Sequence, residues 1–168
     1  PSRMLGNGFR LALEVGATLQ DLEFVQFYPL ALAEPGLPPL VVPPRLADCG
    51  RLINSRQEEI LEKYRIAERP AAERARDRLS QAFFREVYQQ GQEVWLDLRQ
   101  LRDDQWRIDP FSAALGPILR ERFGVRARPV RVAPVAHHVM GGVKIDTAGA
   151  TSVPGLFAAG ENAGGLHG

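Results

Sequence analysis

Apolar positions along the chain fall into two rhythms, one of helices and one of strands. In AAERARDRLSQAFFREVYQQ, residues 71–90, Ala75, Leu79, Phe83 and Val87 recur every four residues, and Ala82 fills the same face. That spacing predicts one amphipathic helix closed by Gly91, with the charges opposite reading as solvated surface. Leu115, Ile118, Leu119 and Phe123 predict a second helix over 110–124, with Pro110 at its start and Gly124 at its end. A short helix is expected over the first 17 residues, with Asn7 near its N-cap and Gly16 closing it. Another is expected over 57–64. Strand rhythm marks Leu22–Pro29, ended by the proline, and Glu93–Leu98 reads as a short strand. The apolar run Leu156–Gly160 predicts a short buried strand. Pro35, Pro38, Pro39, Pro43 and Pro44 make residues 31–50 a loop with extended pieces, in which no helix is expected. RQLRDDQWR, residues 99–107, is a polar linker or one helical turn.

The bulk numbers narrow the classes. A length of 168 residues holds one ordinary domain or parts of two. Lys and Arg total 21 against 20 Asp and Glu, so no basic field argues for nucleic acid and no polybasic run for a lipid surface. The single cysteine, Cys49, excludes an internal disulfide framework and fits a reducing compartment. No apolar run approaches the ~18 residues of a membrane span, and no signal peptide is visible. No G-x-G-x-x-G follows a strand. Pro1 and Gly168 read as cut ends, so a piece of a longer protein is expected.

Chemistry concentrates in Pro134–Gly168, PVAHHVMGGVKIDTAGATSVPGLFAAGENAGGLHG. The stretch is small-sided, and its glycines have no Cβ to hold a large flat ligand away. Glu161 follows its apolar run, a strand-to-turn arrangement suited to receiving a cofactor. The plainer reading is a Gly-rich strand pair with structural histidines. His137 and His138 are adjacent, so on a strand they point to opposite faces and make a poor metal pair.

Three ordered segments, AHHVMGGVKID, TSVPGLFAAGE and NAGGLHG, resemble the C-terminal return segment of the fumarate reductase, succinate dehydrogenase and L-aspartate oxidase flavoproteins. The resemblance implies an α+β capping domain flanked by pieces of an α/β FAD-binding domain. Residues 1–25 and 130–168 would belong to the FAD-binding domain, and 26–129 to the cap. It implies FAD as cofactor and hydride transfer to or from a dicarboxylate-like substrate. It also implies partnership with an iron–sulfur electron-transfer protein, and a cytoplasmic location, peripheral to the membrane through a complex.

The same resemblance assigns roles to single residues. GNGFRLALEVGA is similar to the family's GDGFxMAxxAGA, which puts Asn7 at an FAD contact near a helix N-terminus; as a bare sequence, it is only a cap. Glu161 matches the acid that holds the FAD ribose, and His137 the histidine that binds substrate. ARDRLS resembles (P/S)RDVVSR, making Arg76 the proton carrier beside an acid, Asp77, with Gln81 at the family's second arginine. Two positions depart from the pattern. EFVQFYPL is similar to EFxQFHPT, with Tyr28 at a substrate-binding histidine; a phenol has one proton to donate and does not become a cation. Counting back from Leu52-Ile53-Asn54, the family's substrate-contacting Thr-Glu pair falls on Val42-Pro43, and a shifted gap would move that assignment slightly. Two readings of function stay open: a flavoenzyme with altered specificity, or a non-catalytic flavoprotein-like subunit or interaction module with a degenerate site. The isolated 168-residue chain is expected not to retain FAD tightly, because the glycine-fingerprint half of a dinucleotide fold is missing. Flavin absorbance co-eluting with the purified chain would overturn this.

Overall fold

A computed structural model describes residues 6–166 of the chain. The first five residues and the motif's last two, His167 and Gly168, lie outside the described residues. In chain order the elements begin with α1 (Asn7–Glu14), β1 (Leu19–Gln20), β2 (Val25–Leu32), β3 (Leu40–Val41), α2 (Pro44–Asp48), β4 (Arg51–Asn54) and α3 (Ile60–Lys63). Then come α4 (Ala71–Arg74), α5 (Arg76–Phe84), a π-helical turn (Arg85–Gln89), β5 (Val94–Asp97) and a 3-10 turn (Gln105–Arg107). The last are α6 (Pro110–Phe123), β6 (Val130–Val139), β7 (Gly142–Val143) and a 3-10 turn (Gly160–Asn162). The mixture of helix and sheet is the expected α+β kind. The chain divides into two compact units, Pro1–Gln26 with Ala136–Gly168, and Phe27–Val135. Among the described residues, no helix is long and apolar enough to cross a membrane.

The larger unit is built on a five-stranded sheet in the order β3-β2-β6-β5-β4. β4 and β5 run antiparallel with Leu52 opposite Leu96, and β5 and β6 antiparallel with Leu96 opposite Val130. Alternation does the sorting along β5: Val94 and Leu96 are buried, and Trp95 and Asp97 only partly so. The inward residues of the strands share one core with Leu79 and Phe83 of α5, Trp106, and Leu119 and Phe123 of α6. The smaller unit has a small core of its own, Ala12, Ala17 and Val143, beside the antiparallel pair β1–β7.

Several elements differ from the sequence expectation. β2 begins at Val25 and passes through Pro29 to Leu32; proline's fixed φ is compatible with extended backbone, so its ring removes one ladder donor without ending the strand. The proline-rich segment holds a helix after all, α2, because Pro44 sits at the first helical position, where its missing N–H has no partner to lose. The 57–64 helix is shorter, α3, begun by Glu59, whose side chain accepts from the Glu62 N–H. In α6 Ile118 is exposed, and Ser112 and Gly116 share the buried face with Leu119 and Phe123. Gly124 ends α6 in the left-handed region, φ 64°, as expected. Residues 99–107 contain the single turn at Gln105–Arg107, with Trp106 buried.

The 71–90 helix is broken. Ala75 takes φ −132° and ψ 40° between α4 and α5, and the last turn widens to π geometry. Alanine has the highest helix propensity, so packing imposes this break rather than local preference. Asp48, at the end of α2, accepts from the Ala71 N–H at 3.1 and 3.2 Å and fixes where α4 starts. Leu79 and Phe83, both fully buried, fix α5.

The polar face of that segment is not all solvated either. Glu86 is fully buried. Its carboxylate accepts from Asn54 Nδ2 at 2.9 Å and Tyr64 Oη at 2.7 Å, and pairs with Lys63 Nζ at 2.8 Å. Burial pushes its carboxyl up, but the bonds from Lys63, Asn54 and Tyr64 outweigh that and hold it below the ordinary 4.5. A lowered folded value means stability present above the unfolded value and lost as pH falls through the folded one. Glu86→Ala should therefore destabilise the chain by about 2–4 kcal/mol in urea denaturation at neutral pH, because three donors lose their acceptor. The advantage of the wild type over Glu86→Gln should shrink as pH falls below 4.5.

Candidate functional site

The two units each carry a group of the expected residues. In the larger unit, β2 delivers Tyr28, which is 6% exposed. Its hydroxyl donates to the Val42 carbonyl at 2.8 Å. The two positions where the sequence departs from the family pattern are thus bonded to each other. Val42 is fully buried, and its N–H donates to the Leu30 carbonyl at 2.9 Å. Burial drives the Tyr28 phenol far above its ordinary value, against a smaller opposing pull from Arg76, so the ring stays neutral.

Arg76 comes from the break in the long helix. The break makes it the first residue of α5, with its guanidinium carbon 5.9 Å from the centre of the Tyr28 ring. A cation at a helix N-terminus is opposed by the helix dipole, so this position is not one that local stability selects. Asp77 beside it is exposed. Tyr28 and Arg76 line a cleft of about 670 Å³ with Pro44, Arg45, Glu73, Asp109, Pro110 and Phe111. Sequence reasoning missed Arg45, Glu73 and Asp109. Asp109 followed by Pro110 was a legible N-cap signal, and its Oδ1 accepts from the Ser112 N–H at 2.7 Å.

In the smaller unit, Gly6 and not Asn7 is the N-cap of α1; Asn7 is its exposed first residue. The cap has no side-chain bond and the first turn carries no acid. Gly6, Phe9, His137, His138, Glu161 and Asn162 line a second cleft, of about 330 Å³. His137 Nε2 lies 3.0 Å from Gln26 Oε1, and His138 Nδ1 lies 3.3 Å from Glu161 Oε1. The adjacent histidines therefore serve different partners, as strand alternation requires. The expected strand before Glu161 does not form: Phe157 makes one bridge to Ala150 and is 65% exposed, and Glu161 sits on the 3-10 turn.

Three glycines of the return segment, Gly141, Gly142 and Gly164, serve the close approach of the protein's own backbone rather than a ligand. A Cβ at Gly141 would collide with the backbone of Asp21 and Gln20. One at Gly142 would come within 2.7 Å of Asn162 O and Gly164 N, and one at Gly8 would collide with the Asn162 side chain. Gly160 is different: φ is 62° and nothing lies within 4 Å of its Cβ position.

A helix N-terminus without an acidic rival suits a phosphate, and a half-exposed carboxylate beside an open glycine suits a ribose hydroxyl. These two features are compatible with a nucleotide cofactor such as FAD. The chain belongs to the FAD binding domain family, whose model matches residues 1–168. It is 38% identical to one of the subunits of a fumarate reductase (CoM/CoB) from Methanothermobacter marburgensis, over 97% of this chain and 30% of the relative. It is 35% identical to an L-aspartate oxidase from Nostoc, over 100% of this chain and 30% of the relative. Among solved structures, a quinol-fumarate reductase with menaquinol molecules superposes with a TM-score of 0.76 at 30% identity, covering 94% of this chain and 30% of that one. The chain thus spans about a third of the length of these relatives.

Tyr28→Phe should leave the Val42 carbonyl without its donor and destabilise the larger unit by about 1–2 kcal/mol, read as a lower urea midpoint. An unchanged midpoint would mean that water replaces the hydroxyl at no cost.

Proposed function

We propose that the intact protein containing this chain is an FAD-dependent oxidoreductase that transfers a hydride to or from a carboxylate-bearing, dicarboxylate-like substrate with altered specificity. The observation that carries this reading is Arg76, set over the Tyr28 ring at the start of α5 in a cleft with a second arginine, Arg45. The relatives named as fumarate reductase and L-aspartate oxidase support it.

In this reading Glu161 and the N-terminus of α1 at Asn7 hold FAD, with His138 orienting the Glu161 carboxylate. When bound, FAD supplies or takes up two electrons as a hydride. The unit Phe27–Val135 is the cap that excludes water from the reacting bond. Arg76, charged at rest, polarises the substrate and passes it a guanidinium proton in a closed, low-dielectric site, then regains one from solvent. His137, oriented by Gln26, binds a polar group of the substrate. Tyr28 contributes a neutral ring face, since its one proton is committed to Val42. An iron–sulfur subunit is the natural electron partner, and the assembled complex is peripheral to the membrane from the cytoplasm.

One observation favours the second reading, a non-catalytic flavoprotein subunit: the Tyr28 hydroxyl has been drawn from the cleft into an internal bond. Anaerobic stopped-flow on the intact protein separates the two. Bound flavin should bleach with a saturated substrate and return with an unsaturated acceptor such as fumarate or a bulkier enone acid. Arg76→Gln should slow whichever half-reaction runs by about 10²–10⁴-fold while flavin stays bound. Flavin that is bound yet answers to no substrate would select the non-catalytic subunit.

A further inference from the structure

The charges around the Tyr28–Arg76 cleft are balanced, and that balance bears on what it binds. Two cations line it, Arg45 and Arg76, and two anions, Glu73 and Asp109. Asp109 Oδ1 accepts from the Ser112 N–H and caps α6. Glu73 lies in the first turn of α4, where a negative charge is favoured. A second carboxylate on a ligand would therefore meet two acids as well as two arginines in this cleft, repulsion as well as attraction. The rest of the wall is apolar: the ring of Tyr28, whose proton is committed to Val42, with Pro44 and Phe111. Phe111 is 45% exposed, an aromatic face open to whatever enters.

We propose that this cleft binds a zwitterionic amino acid with an apolar or aromatic side chain. Its carboxylate goes to Arg45 and Arg76, its ammonium to Glu73 and Asp109, and its side chain lies against Phe111 and the Tyr28 ring. Each sign of charge in the cleft then meets its opposite, and bidentate arginine contacts suit the carboxylate. A dicarboxylate leaves both acids opposed, and a plain monocarboxylate leaves them unused. The inference rests on the oxidoreductase reading for its chemistry, but not for its binding, and it replaces the dicarboxylate-like anion of that reading by a zwitterion with a single carboxylate.

The test is calorimetric titration of the intact protein with its flavin oxidised, under anaerobic conditions, so that binding is read apart from turnover. The probes are L-phenylalanine, 3-phenylpropanoate, which lacks the ammonium, and succinate. L-Phenylalanine should bind at least about tenfold more tightly than either of the others. Glu73→Gln should weaken L-phenylalanine about tenfold and leave 3-phenylpropanoate unchanged, whereas Arg45→Gln should weaken both. Equal or tighter binding of 3-phenylpropanoate overturns the ammonium subsite. Tightest binding of succinate overturns the assignment in favour of a dicarboxylate, and failure of all three to bind overturns it outright. L-Phenylalanine that binds as expected sustains the binding site; if it also never bleaches the flavin and no unsaturated acceptor reoxidises the reduced flavin, the oxidoreductase reading falls instead.

Discussion

One buried bond, from the Tyr28 hydroxyl to the Val42 carbonyl, sets the form of the cleft in the larger unit. It crosses from β2 to the residue two before α2, so the start of α2, and with it Arg45, is held against the sheet. The same ring lies beneath the Arg76 guanidinium. A hydroxyl left inside a core without a partner would cost about 1–3 kcal/mol, which is why it takes the nearest carbonyl and keeps it. What remains for a ligand is the ring's neutral face. The position thus carries shape and polarity rather than charge, and the fixed charges of the cleft come from residues on α2, α4, α5 and the start of α6.

In the smaller unit the constraint is close approach of backbone. β1 pairs with β7 at Leu19–Val143 and Gln20–Gly142, and the chain after Gly160 folds back on β7, with the Gly164 N–H donating to the Val143 carbonyl at 3.0 Å. No side chain fits between these segments at Gly141, Gly142 or Gly164. Part of the glycine density that reads as room for a ligand is, at these three positions, room for the protein itself. Only with the backbones in contact does the turn at Gly160–Asn162 come against α1, where Asn162 lies over Gly8. The cofactor reading of this unit therefore rests on Glu161 and the bare N-terminus of α1, with the glycines acting one step behind them.

How much of this was legible follows from the range of each interaction. α6 was readable because Pro110, the apolar spacing and Gly124 are all local signals that agree. β5 was readable as a short strand from its sequence and alternates in burial, whereas β4, buried at Leu52, Ile53 and Asn54 alike, was readable only through the family resemblance. The family and its FAD were readable from short motifs in which residue type and order are both constrained. The break at Ala75 was not, because nothing in an alanine announces it; it depends on Asp48, 23 residues earlier, holding the Ala71 N–H. Glu86 looked like surface because it lies in a charged helix, and only the approach of Asn54, Lys63 and Tyr64 from two other elements makes its burial tolerable. Tyr28 was recognised as a changed residue, but the partner of its hydroxyl was set by the fold.

These non-local features bear on the function more than the local ones do. Had residues 71–90 formed one helix, Arg76 would lie in its interior, with Ala75 as an ordinary helical neighbour. The break instead makes Arg76 the opening residue of α5 and Ala75, only 1% exposed, a buried corner. A cation at that end works against the helix dipole, by about 0.3–1 kcal/mol at an exposed terminus. The ring of Tyr28 offsets part of this through its negative face. A chain under no functional demand would be more stable with an acid or a small capping residue at position 76. An arginine there, 5.9 Å from the centre of a neutral ring and lining a cleft with Arg45, is what the proposed site would call for: a fixed positive charge held at a cost in local stability.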